Sequence, residues 1–326
     1  MPAPEPLLTA ATHPAAHVPP PDRDSENLGA ALRARLSPAA RVLVREPLAR
    51  YTTLRVGGPA DLFVVPASEP DLAAVLQFCA AHDLPWRVLG RGSNVLVRDG
   101  GVRGVVVTLA HPAFCAVRVQ GHTLHAGAGA RVKAVAAAAL QHGLAGLEFL
   151  EGIPGSVGGA LRMNAGAFAG WTFAVLERVR LMTPQGAIEE RPAAAVPVAY
   201  RNCPLFTTHI ALGAVFRGRP EAAEAIRARM AEYSRRRWQT QPRDPSAGCI
   251  FKNPAALPAG RLVDELGLKG TGVGGARVSE VHGNFIVNTG AATARDILEL
   301  IRRIQAAARA RRGIELEPEV EILGED

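Results

Sequence analysis

Cysteine is scarce in this sequence and follows no pattern. The 326 residues include four cysteines, and none of them has the C-x-x-C spacing of a metal or redox motif: Cys79, Cys115, Cys203 and Cys249. Neither a zinc site nor a disulfide framework is indicated, and we expect no bound metal. Free thiols agree with a reducing compartment.

Lysine is also scarce, although the chain is basic overall. Only three of the 37 basic residues are lysine, the formal net charge is +7, and the arginines are dispersed. One dense basic run, residues 235–237, precedes Trp238, but no helix-turn-helix, RRM or zinc-finger pattern accompanies it. A cleft for an anionic, nucleotide-linked substrate explains the charge equally well, and we expect no nucleic-acid partner.

Long apolar runs are absent. No segment approaches the roughly 18–20 apolar residues of a membrane span. The first 27 residues contain seven prolines and no apolar core like that of a signal peptide. We therefore expect a disordered tail over residues 1–27 and a cytoplasmic protein without a membrane span. With 48% hydrophobic residues, the chain can bury a large core divided among two or three domains.

Glycine, by contrast, is concentrated in two segments. The first, the glycine turn (residues 88–98), places residues 90–94, Gly-Arg-Gly-Ser-Asn, between two short β-like runs. The second, the glycine stretch (residues 146–167), contains six glycines and follows the period of neither a helix nor a strand. Glycine lets successive backbone N–H groups approach an anion such as pyrophosphate. Neither segment has a complete Rossmann or P-loop fingerprint, and a tightly packed buried loop is the alternative for the glycine stretch.

The remaining pattern indicates an α+β fold and not a series of regular βαβ units. Ser68 is placed to cap a helix that ends near His82, and Thr293 begins a helix with the sequence of a capping box. Residues 177–183 and 187–191 predict a hairpin, and residues 315–322 predict a closing strand. Composition changes at Gly218, which indicates a domain boundary.

Several motifs in this chain resemble, in the same order, those of the UDP-N-acetylenolpyruvoylglucosamine reductases. The matching segments are Tyr51–Ala60, Leu89–Asn94, Gly152–Gly159, Met163–Ala167, Tyr200-Arg201, Ser246–Pro254, His282–Asn288 and Pro318–Val320. The resemblance covers about residues 40–323. The short spacing between Arg201 and Cys249 resembles the family's compact subtype, which lacks an inserted substrate-covering loop.

The resemblance implies an α+β architecture of two domains. An FAD-binding domain of the PCMH/vanillyl-alcohol-oxidase type would occupy residues 28–217, in two subdomains divided near residue 110. A smaller α+β substrate domain would follow over residues 218–313. The last segment, residues 314–326, would return as a strand to the FAD-binding domain.

The resemblance also implies a reaction in two halves. NADPH reduces non-covalently bound FAD, and the reduced flavin gives a hydride to the vinyl carbon of UDP-N-acetylglucosamine enolpyruvate. The product is UDP-N-acetylmuramate, which is used for peptidoglycan. The hydride attack creates an electron-rich centre beside a carboxylate, so the protein must supply cationic or protonated groups and an acid. We expect a monomeric oxidoreductase.

Three residues occupy the family's catalytic positions. Cys249 is at the proton-donor position, where the family more often has serine, and a thiol with the ordinary pKa of about 8.5 is protonated at neutral pH. A small buried hydrophobic side chain is the alternative role for Cys249. Arg201 would bind the enolpyruvyl carboxylate through two parallel bonds. Glu319 would assist protonation or stabilise charge, but Glu317 and Glu321 share its face by period, and only the Pro-Glu-Val match selects it.

The resemblance assigns two further sets of residues. The first would hold FAD, with the glycine turn at its pyrophosphate and the glycine stretch near the flavin and ribityl chain: Arg55, Gly58, Gly90, Gly92, Ser93, Asn94, Gly152, Ile153, Gly158, Gly159 and Asn164. The second would bind the substrate, with Arg237 and Gln241 at its UDP end: Tyr200, Lys252, Asn253, Arg237 and Gln241. For His282 we favour a structural role over that of an acid.

Three other functions stay open on the sequence. An oxidase of hydroxy acids or sugar lactones shares the FAD fold, but such enzymes often attach flavin through His or Cys in the glycine turn, and residues 88–98 contain neither. A binding module without activity would hold flavin that NADPH does not reduce. A basic nucleic-acid-binding protein would show salt-dependent retention on DNA.

Overall fold

The structure is a computed structural model that describes residues 23–326. The helices within this range are α1 (Arg23–Arg33), α2 (Glu69–Ala81), α3 (Val132–Gln141), α4 (Val157–Arg162), α5 (Ala223–Thr240), α6 (Ala259–Glu265) and α7 (Ala294–Arg312). The strands are β1 (Arg41–Pro47), β2 (Pro59–Val65), β3 (Trp86–Val88), β4 (Val95–Val97), β5 (Val102–Val107), β6 (Val117–Gln120), β7 (Thr123–Gly127), β8 (Leu144–Ala145), β9 (Gly166–Ala167), β10 (Gly170–Trp171), β11 (Leu176–Met182), β12 (Ile188–Pro192), β13 (Ile210–Arg217), β14 (Arg219–Pro220), β15 (Gly272–Val273), β16 (Ala276–Val278), β17 (Ile286–Asn288) and β18 (Glu321–Leu323). This mixture of elements confirms the α+β class.

The first sheet has the strand order β1-β2-β5-β3. Strands β1 and β2 are antiparallel, whereas β5 runs parallel to both β2 and β3. Helix α2 packs in the same core as this sheet through buried residues such as Leu72 and Val75. The Ser68 hydroxyl accepts a hydrogen bond from the Asp71 backbone N–H at 3.2 Å, which confirms the predicted helix cap.

The second sheet is antiparallel and has the order β12-β11-β13-β7-β6. Its strands β11 and β12 form the hairpin that the sequence predicts. The strands of the first sheet end at residue 107, and those of the second begin at residue 117. Both sheets contribute to one hydrophobic core, which includes Leu62 and Val105 from the first and Val179 and Phe216 from the second.

Helix α5 packs against this same core. Its buried residues Ile226 and Met230 belong to the cluster that the two sheets share. The Arg229 Nη2 donates to Glu148 Oε1 at 2.6 Å, and the Gly146 backbone N–H donates to Glu148 Oε2 at 2.8 Å. The boundary predicted at residue 218 therefore differs from the structure, in which the change of core follows α5. The change of composition at residue 218 reflects the basic exposed face of this helix, not a new core.

We expect Glu148→Ala to lower the free energy of unfolding by about 2 kcal/mol, because it removes charge-assisted hydrogen bonds from Arg229 at a buried carboxylate. The control is Arg235→Ala on α5, the helix that carries Arg229. It removes an exposed ion pair with Glu232 and should change the free energy of unfolding by less than about 1 kcal/mol. Urea-induced unfolding followed by circular dichroism measures both. Equal losses in the two variants would contradict the role of Glu148 in holding α5.

The C-terminal part of the chain has a core of its own. Helices α6 and α7 pack with the antiparallel sheet β15-β16-β17. Helix α7 begins with the predicted capping box, since the Asp296 N–H donates to Thr293 Oγ1 at 3.1 Å and the Thr293 N–H donates to Asp296 Oδ2 at 3.0 Å. Leu54 and Leu96 from the N-terminal region complete this core. The C-terminal core therefore extends to the glycine turn, which contains Leu96.

The last strand, β18, pairs in parallel with β4, with Glu321 opposite Val95. It is shorter than the predicted strand, because residues 315–320 run along the C-terminal core before pairing begins. At this point the Glu319 backbone N–H donates to the Ile250 carbonyl oxygen at 2.7 Å. The chain thus brings Glu319 beside the end of the glycine turn.

Helix α4 lies inside the glycine stretch. A 3-10 turn over Glu148–Gly152 precedes it, and the Ser156 hydroxyl caps it by accepting the Gly159 N–H at 3.3 Å. The sequence showed no helical period here, because a six-residue helix contains too few apolar positions to show one. Burial of Val157 and Leu161 fixes this helix in the core.

Helix α1 begins within the segment predicted to be disordered. Asp24 and Glu26 lie in its first turn, where carboxylates complement the helix dipole, and Leu32 is fully buried. The prediction is wrong for residues 23–27, because the prolines that suggested disorder all lie at or before Pro21. Residues 1–22 of the predicted tail lie outside the described residues. In the described part of the chain, no helix combines the length and apolar character needed to cross a membrane.

Candidate active site

A large cleft runs between the two glycine segments and the C-terminal core. Its volume is about 2380 Å³, and a site for one drug-sized ligand usually has about 300–1,000 Å³. The cleft can therefore hold a dinucleotide together with a second molecule. Its lining includes residues of the glycine turn and the glycine stretch, and also Arg201, Cys249 and Glu319.

The glycine turn and the glycine stretch contact each other in the wall of this cleft. The Ser93 hydroxyl donates to the Pro154 carbonyl oxygen at 3.3 Å. A β-carbon at Gly90 would lie 2.7 Å from Ser156 Oγ, and one at Gly155 would lie 2.8 Å from Ser93 Oγ. Each of these glycines makes room for a hydroxyl group of the other segment. The two segments therefore form one continuous surface.

The backbone N–H groups of residues 90–94, in the middle of the glycine turn, are free to bind an anion. Across residues 23–326, no hydrogen-bond acceptor faces the N–H groups of residues 90–94. Gly92 has φ +61, and a β-carbon there would clash with the Tyr51 carbonyl oxygen. Successive unpaired N–H groups form a concavity that suits phosphate oxygens. The residues present therefore fit the pyrophosphate of FAD.

Ten of the predicted FAD-binding residues line the cleft: Arg55, Gly58, Gly90, Gly92, Ser93, Asn94, Gly152, Ile153, Gly158 and Gly159. Asn164 does not. It is buried, its Nδ2 donates to the Ala199 carbonyl oxygen at 3.4 Å, and its Oδ1 accepts the Phe173 N–H at 3.2 Å. The cleft lining does not support the predicted contact of Asn164 with the flavin, because its amide is used within the protein.

The three predicted catalytic residues converge on one side of the cleft. Arg201 Nε donates to Glu319 Oε1 at 2.7 Å. The Glu319 backbone is bonded to Ile250, the neighbour of Cys249 in the chain, and the charges of Arg201 and Glu319 both act on the Cys249 thiol. Residues from three distant parts of the sequence therefore form one constellation.

Burial raises the pKa of the Cys249 thiol to about 12, and the Glu319 carboxylate adds to this rise. The Arg201 charge and a hydrogen bond with Asn284 lower the same pKa, but by less. The ordinary thiol pKa of about 8.5 used in the sequence argument is therefore too low for this site. The thiol has a smaller advantage in acidity over a hydroxyl than expected, but it is fully protonated at neutral pH, as a proton donor must be.

Glu319 differs from its acidic neighbours in both environment and partner. Burial raises the pKa of its carboxyl group above the ordinary value, while the charge of Arg201 acts in the opposite direction. Glu317 instead pairs with Lys252, and Glu321 belongs to strand β18. The period-two argument could not separate these residues, because only the last of them lies in a regular strand.

The predicted substrate residues Arg237 and Gln241 line the cleft at the end of α5. Arg237 Nη1 donates to the Gly152 carbonyl oxygen at 3.3 Å, and its Nε donates to Gln241 Oε1 at 3.2 Å. Burial lowers the pKa of the Arg237 guanidinium, although Glu151 opposes this change. A half-buried cation thus lies beside the glycine stretch, where an anionic group of a ligand would pair with it.

The other predicted substrate residues, Tyr200, Lys252 and Asn253, are not part of the cleft lining. Tyr200 is 56% exposed, and its ring lies 5.0 Å from the Arg201 guanidinium. Lys252 pairs with Glu317, and Asn253 Oδ1 accepts the Ala259 N–H at 3.0 Å at the start of α6. The substrate contacts of these three residues stay predictions, and Tyr200 and Lys252 lie close enough to Glu319 for their charges to interact with it.

Asn284 is a residue near the site that sequence reasoning missed. It is 2% exposed, its Nδ2 donates to the Phe251 carbonyl oxygen at 2.8 Å, and its Oδ1 accepts the Phe251 N–H at 2.9 Å. It also hydrogen-bonds the Cys249 side chain. Its place in the His282–Asn288 motif was a signal, but a motif does not say which atoms a side chain binds. His282 Nδ1 accepts the Asn284 N–H at 3.1 Å, which agrees with a structural role for this histidine.

A glycine turn with free N–H groups, beside a half-buried thiol and an arginine–glutamate pair, fits the site of a flavin-dependent oxidoreductase. Two family models match the chain. The model described as FAD binding domain matches residues 60–190, and the model of the UDP-N-acetylenolpyruvoylglucosamine reductase C-terminal domain matches residues 241–323. The second match begins at the end of α5, where the structure also changes core.

Relatives that align over nearly their whole length are also named UDP-N-acetylenolpyruvoylglucosamine reductase. The UDP-N-acetylenolpyruvoylglucosamine reductase of Geobacter metallireducens is 46% identical over 93% of this chain and 100% of its own length, and that of Syntrophomonas wolfei is 41% identical over 89% and 97%. The crystal structure of the Thermus caldophilus reductase has a TM-score of 0.76 and 39% identity, and the alignment covers 87% of this chain and 99% of that one. The chain belongs to the UDP-N-acetylenolpyruvoylglucosamine reductase family, and it carries an FAD-binding domain.

Proposed function

We propose that this protein reduces UDP-N-acetylglucosamine enolpyruvate to UDP-N-acetylmuramate for peptidoglycan synthesis, with FAD as its cofactor and NADPH as the source of hydride. Family membership and the FAD-binding domain support this proposal. The observation that carries it is the group of Arg201, Cys249 and Glu319, which faces the same cleft as the free N–H groups of the glycine turn.

FAD, when bound, supplies the hydride chemistry. The chain's own residues bind and orient the reactants. The N–H groups of residues 90–94 would hold the pyrophosphate of the cofactor, and Arg201 would bind the enolpyruvyl carboxylate. Because Glu319 already holds the Nε of Arg201, the rest of the guanidinium is pre-oriented for this carboxylate.

Cys249 completes the reaction by delivering a proton. Addition of a hydride to the terminal vinyl carbon moves the π electrons to the carbon beside the carboxylate. The Cys249 S–H bond then breaks, its proton bonds to that carbon, and its electrons stay on sulfur until solvent reprotonates the thiolate. Arg201 and Asn284 both lower the pKa of the thiol, which means that they stabilise this thiolate. Glu319 would assist this protonation or stabilise the charge that develops at the reacting carbon.

The decisive experiment is the anaerobic visible spectrum of the purified protein during two additions. NADPH should bleach the flavin band, and UDP-N-acetylglucosamine enolpyruvate should then restore it. Bleaching without restoration would reject the substrate and favour another acceptor, such as that of an oxidase. A flavin band that NADPH does not bleach would favour a binding module without activity. Absence of flavin even after addition of FAD would reject the whole proposal.

The same proposal includes a monomeric, cytoplasmic enzyme that binds FAD non-covalently. One chain supplies every residue of the constellation, so the chemistry needs no second subunit. NADPH and nucleotide sugars are metabolites of the cytoplasm, where the enzyme would meet them. Size-exclusion chromatography with light scattering tests the first point, and release of free FAD on acid precipitation tests the non-covalent attachment.

A further inference from the structure

The turn that carries Arg201 has a backbone conformation that arginine rarely adopts. Arg201 has φ +56, in the left-handed region, which is strained for a non-glycine residue. Two backbone hydrogen bonds between Ala199 and Asn202, of 2.9 and 3.2 Å, close the turn around it. Such strain persists only where the surrounding structure enforces it. Contacts from other parts of the chain must therefore hold this turn.

The C-terminal end of helix α4 holds the turn at three points. The Arg162 carbonyl oxygen accepts the Cys203 N–H at 3.0 Å, and Arg162 Nη1 donates to Asn202 Oδ1 at 3.3 Å. The third contact is the bond from Asn164 Nδ2 to the Ala199 carbonyl oxygen, at 3.4 Å. Both ends of the turn are thus tied to a helix that begins in the glycine stretch.

Asn164 is built for this contact. Its own φ is +38, so its backbone is also in the left-handed region, where asparagine is tolerated better than most residues. Its side chain is buried, and its Oδ1 accepts the Phe173 N–H at 3.2 Å, which orients the amide so that Nδ2 faces Ala199. The side chain does not reach the cleft, so it acts on the site only through the turn.

We propose that Asn164 is a positioning residue for Arg201, which holds the turn so that the guanidinium is directed at Glu319 and the substrate carboxylate. The proposal rests on the proposed function, because it concerns the role of Arg201 in that reaction. Helix α4 then has two tasks: its first residues belong to the glycine segment that faces the cofactor, and its last residues set the arginine.

Asn164→Gly is the sharpest test, because glycine keeps the left-handed backbone and removes only the amide. We expect kcat/KM for the UDP-linked substrate to fall about 10- to 100-fold, as for a reactive group displaced by about 1 Å. Flavin content and the rate at which NADPH bleaches the flavin should stay at the wild-type level. A merely structural role would not separate the two half-reactions in this way.

The pH profile gives a second readout. The charged and titratable groups that face the Glu319 carboxyl are Arg201, Lys252, Cys249 and Tyr200. Arg201 opposes the rise in the pKa of Glu319 that burial causes, so a displaced guanidinium lets this pKa rise further. The limb of the profile that belongs to Glu319 should therefore move to higher pH in the variant.

Two further variants keep the test decisive. Asn164→Asp retains an acceptor for the Phe173 N–H and replaces the donor to Ala199 with a carboxylate oxygen, so it should show the same loss if the glycine variant does not fold. Thr208→Ala removes an exposed side-chain hydrogen bond to the Leu205 carbonyl oxygen and should leave the kinetics unchanged.

The outcomes separate this inference from the proposed function. Wild-type kinetics and pH profile in both Asn164 variants would overturn the positioning role. Loss of bound flavin in these variants would also overturn it, in favour of a role at the cofactor. Wild-type protein that NADPH reduces but the UDP-linked substrate does not reoxidise would instead reject the proposed function.

Discussion

Replacing Cys249 with alanine should lower turnover of the UDP-linked substrate by about 10²- to 10⁴-fold, the usual contribution of a general acid. Cys249→Ser should keep substantial activity, because a hydroxyl can donate a proton from the same position. The thiol and the hydroxyl differ less in acidity at this site than in water, since burial raises the pKa of the thiol to about 12. Consumption of NADPH in the presence of the substrate measures turnover by the wild type and the two variants.

The two half-reactions provide the control for this prediction. Anaerobic bleaching of the flavin by NADPH needs no proton from Cys249, so it should proceed at the wild-type rate in both variants. Only the recovery of the flavin band on addition of the substrate should be slow in Cys249→Ala. Full turnover in the alanine variant would remove Cys249 from the mechanism and leave it as a small buried side chain.

Local features of the fold could be predicted because their causes lie within a few residues. Ser68 and Thr293 cap helices through hydroxyls that reach N–H groups three residues ahead, and such spacing is visible in a sequence. Glycine at residues 90 and 92 indicated a backbone that approaches another group closely, and the structure shows this approach. The glycine pattern predicted the turn, but only the family resemblance predicted that FAD binds there.

The core to which a helix belongs could not be predicted in the same way. Ile226 and Met230 make α5 amphipathic, but an apolar side does not say which of two cores it enters. The basic composition of the exposed side of α5 suggested a new domain. The pairing of Arg229 with Glu148 instead joins α5 to the domain that precedes it. Long-range partners decide such boundaries, and single-sequence composition does not contain them.

The roles of polar side chains near the site were the hardest to predict. Motif membership placed Asn164, Lys252 and Asn253 at the ligands, and the structure gives each of them a partner in the protein. A motif match identifies residue types, and the same types serve whether the residue touches a ligand or holds the residues that do. Only the direction of each side chain separates the two, and this direction depends on local backbone conformation such as the left-handed turn at Arg201.

Replacing Gly92 with alanine should weaken FAD binding by about 100-fold or more, so that the protein is purified largely without flavin. The alanine β-carbon would clash with the Tyr51 carbonyl oxygen, and the turn must shift to relieve this contact. A shift misaligns the free N–H groups of residues 90–94, and each hydrogen bond to a charged group contributes about 1.5–3 kcal/mol, or roughly ten- to a hundredfold in affinity.

The chain offers a matched control for this change. Gly121 has φ +57, close to the +61 of Gly92, but no atom lies within 4 Å of the place where its β-carbon would be. Gly121→Ala therefore carries the same backbone strain of about 1 kcal/mol without the clash. The ratio of flavin to protein absorbance, followed by titration of the apoprotein with FAD, compares the two variants. If both bind FAD like the wild type, the glycine turn is not the pyrophosphate site; if both lose it equally, general destabilisation and not the geometry of the turn explains the loss.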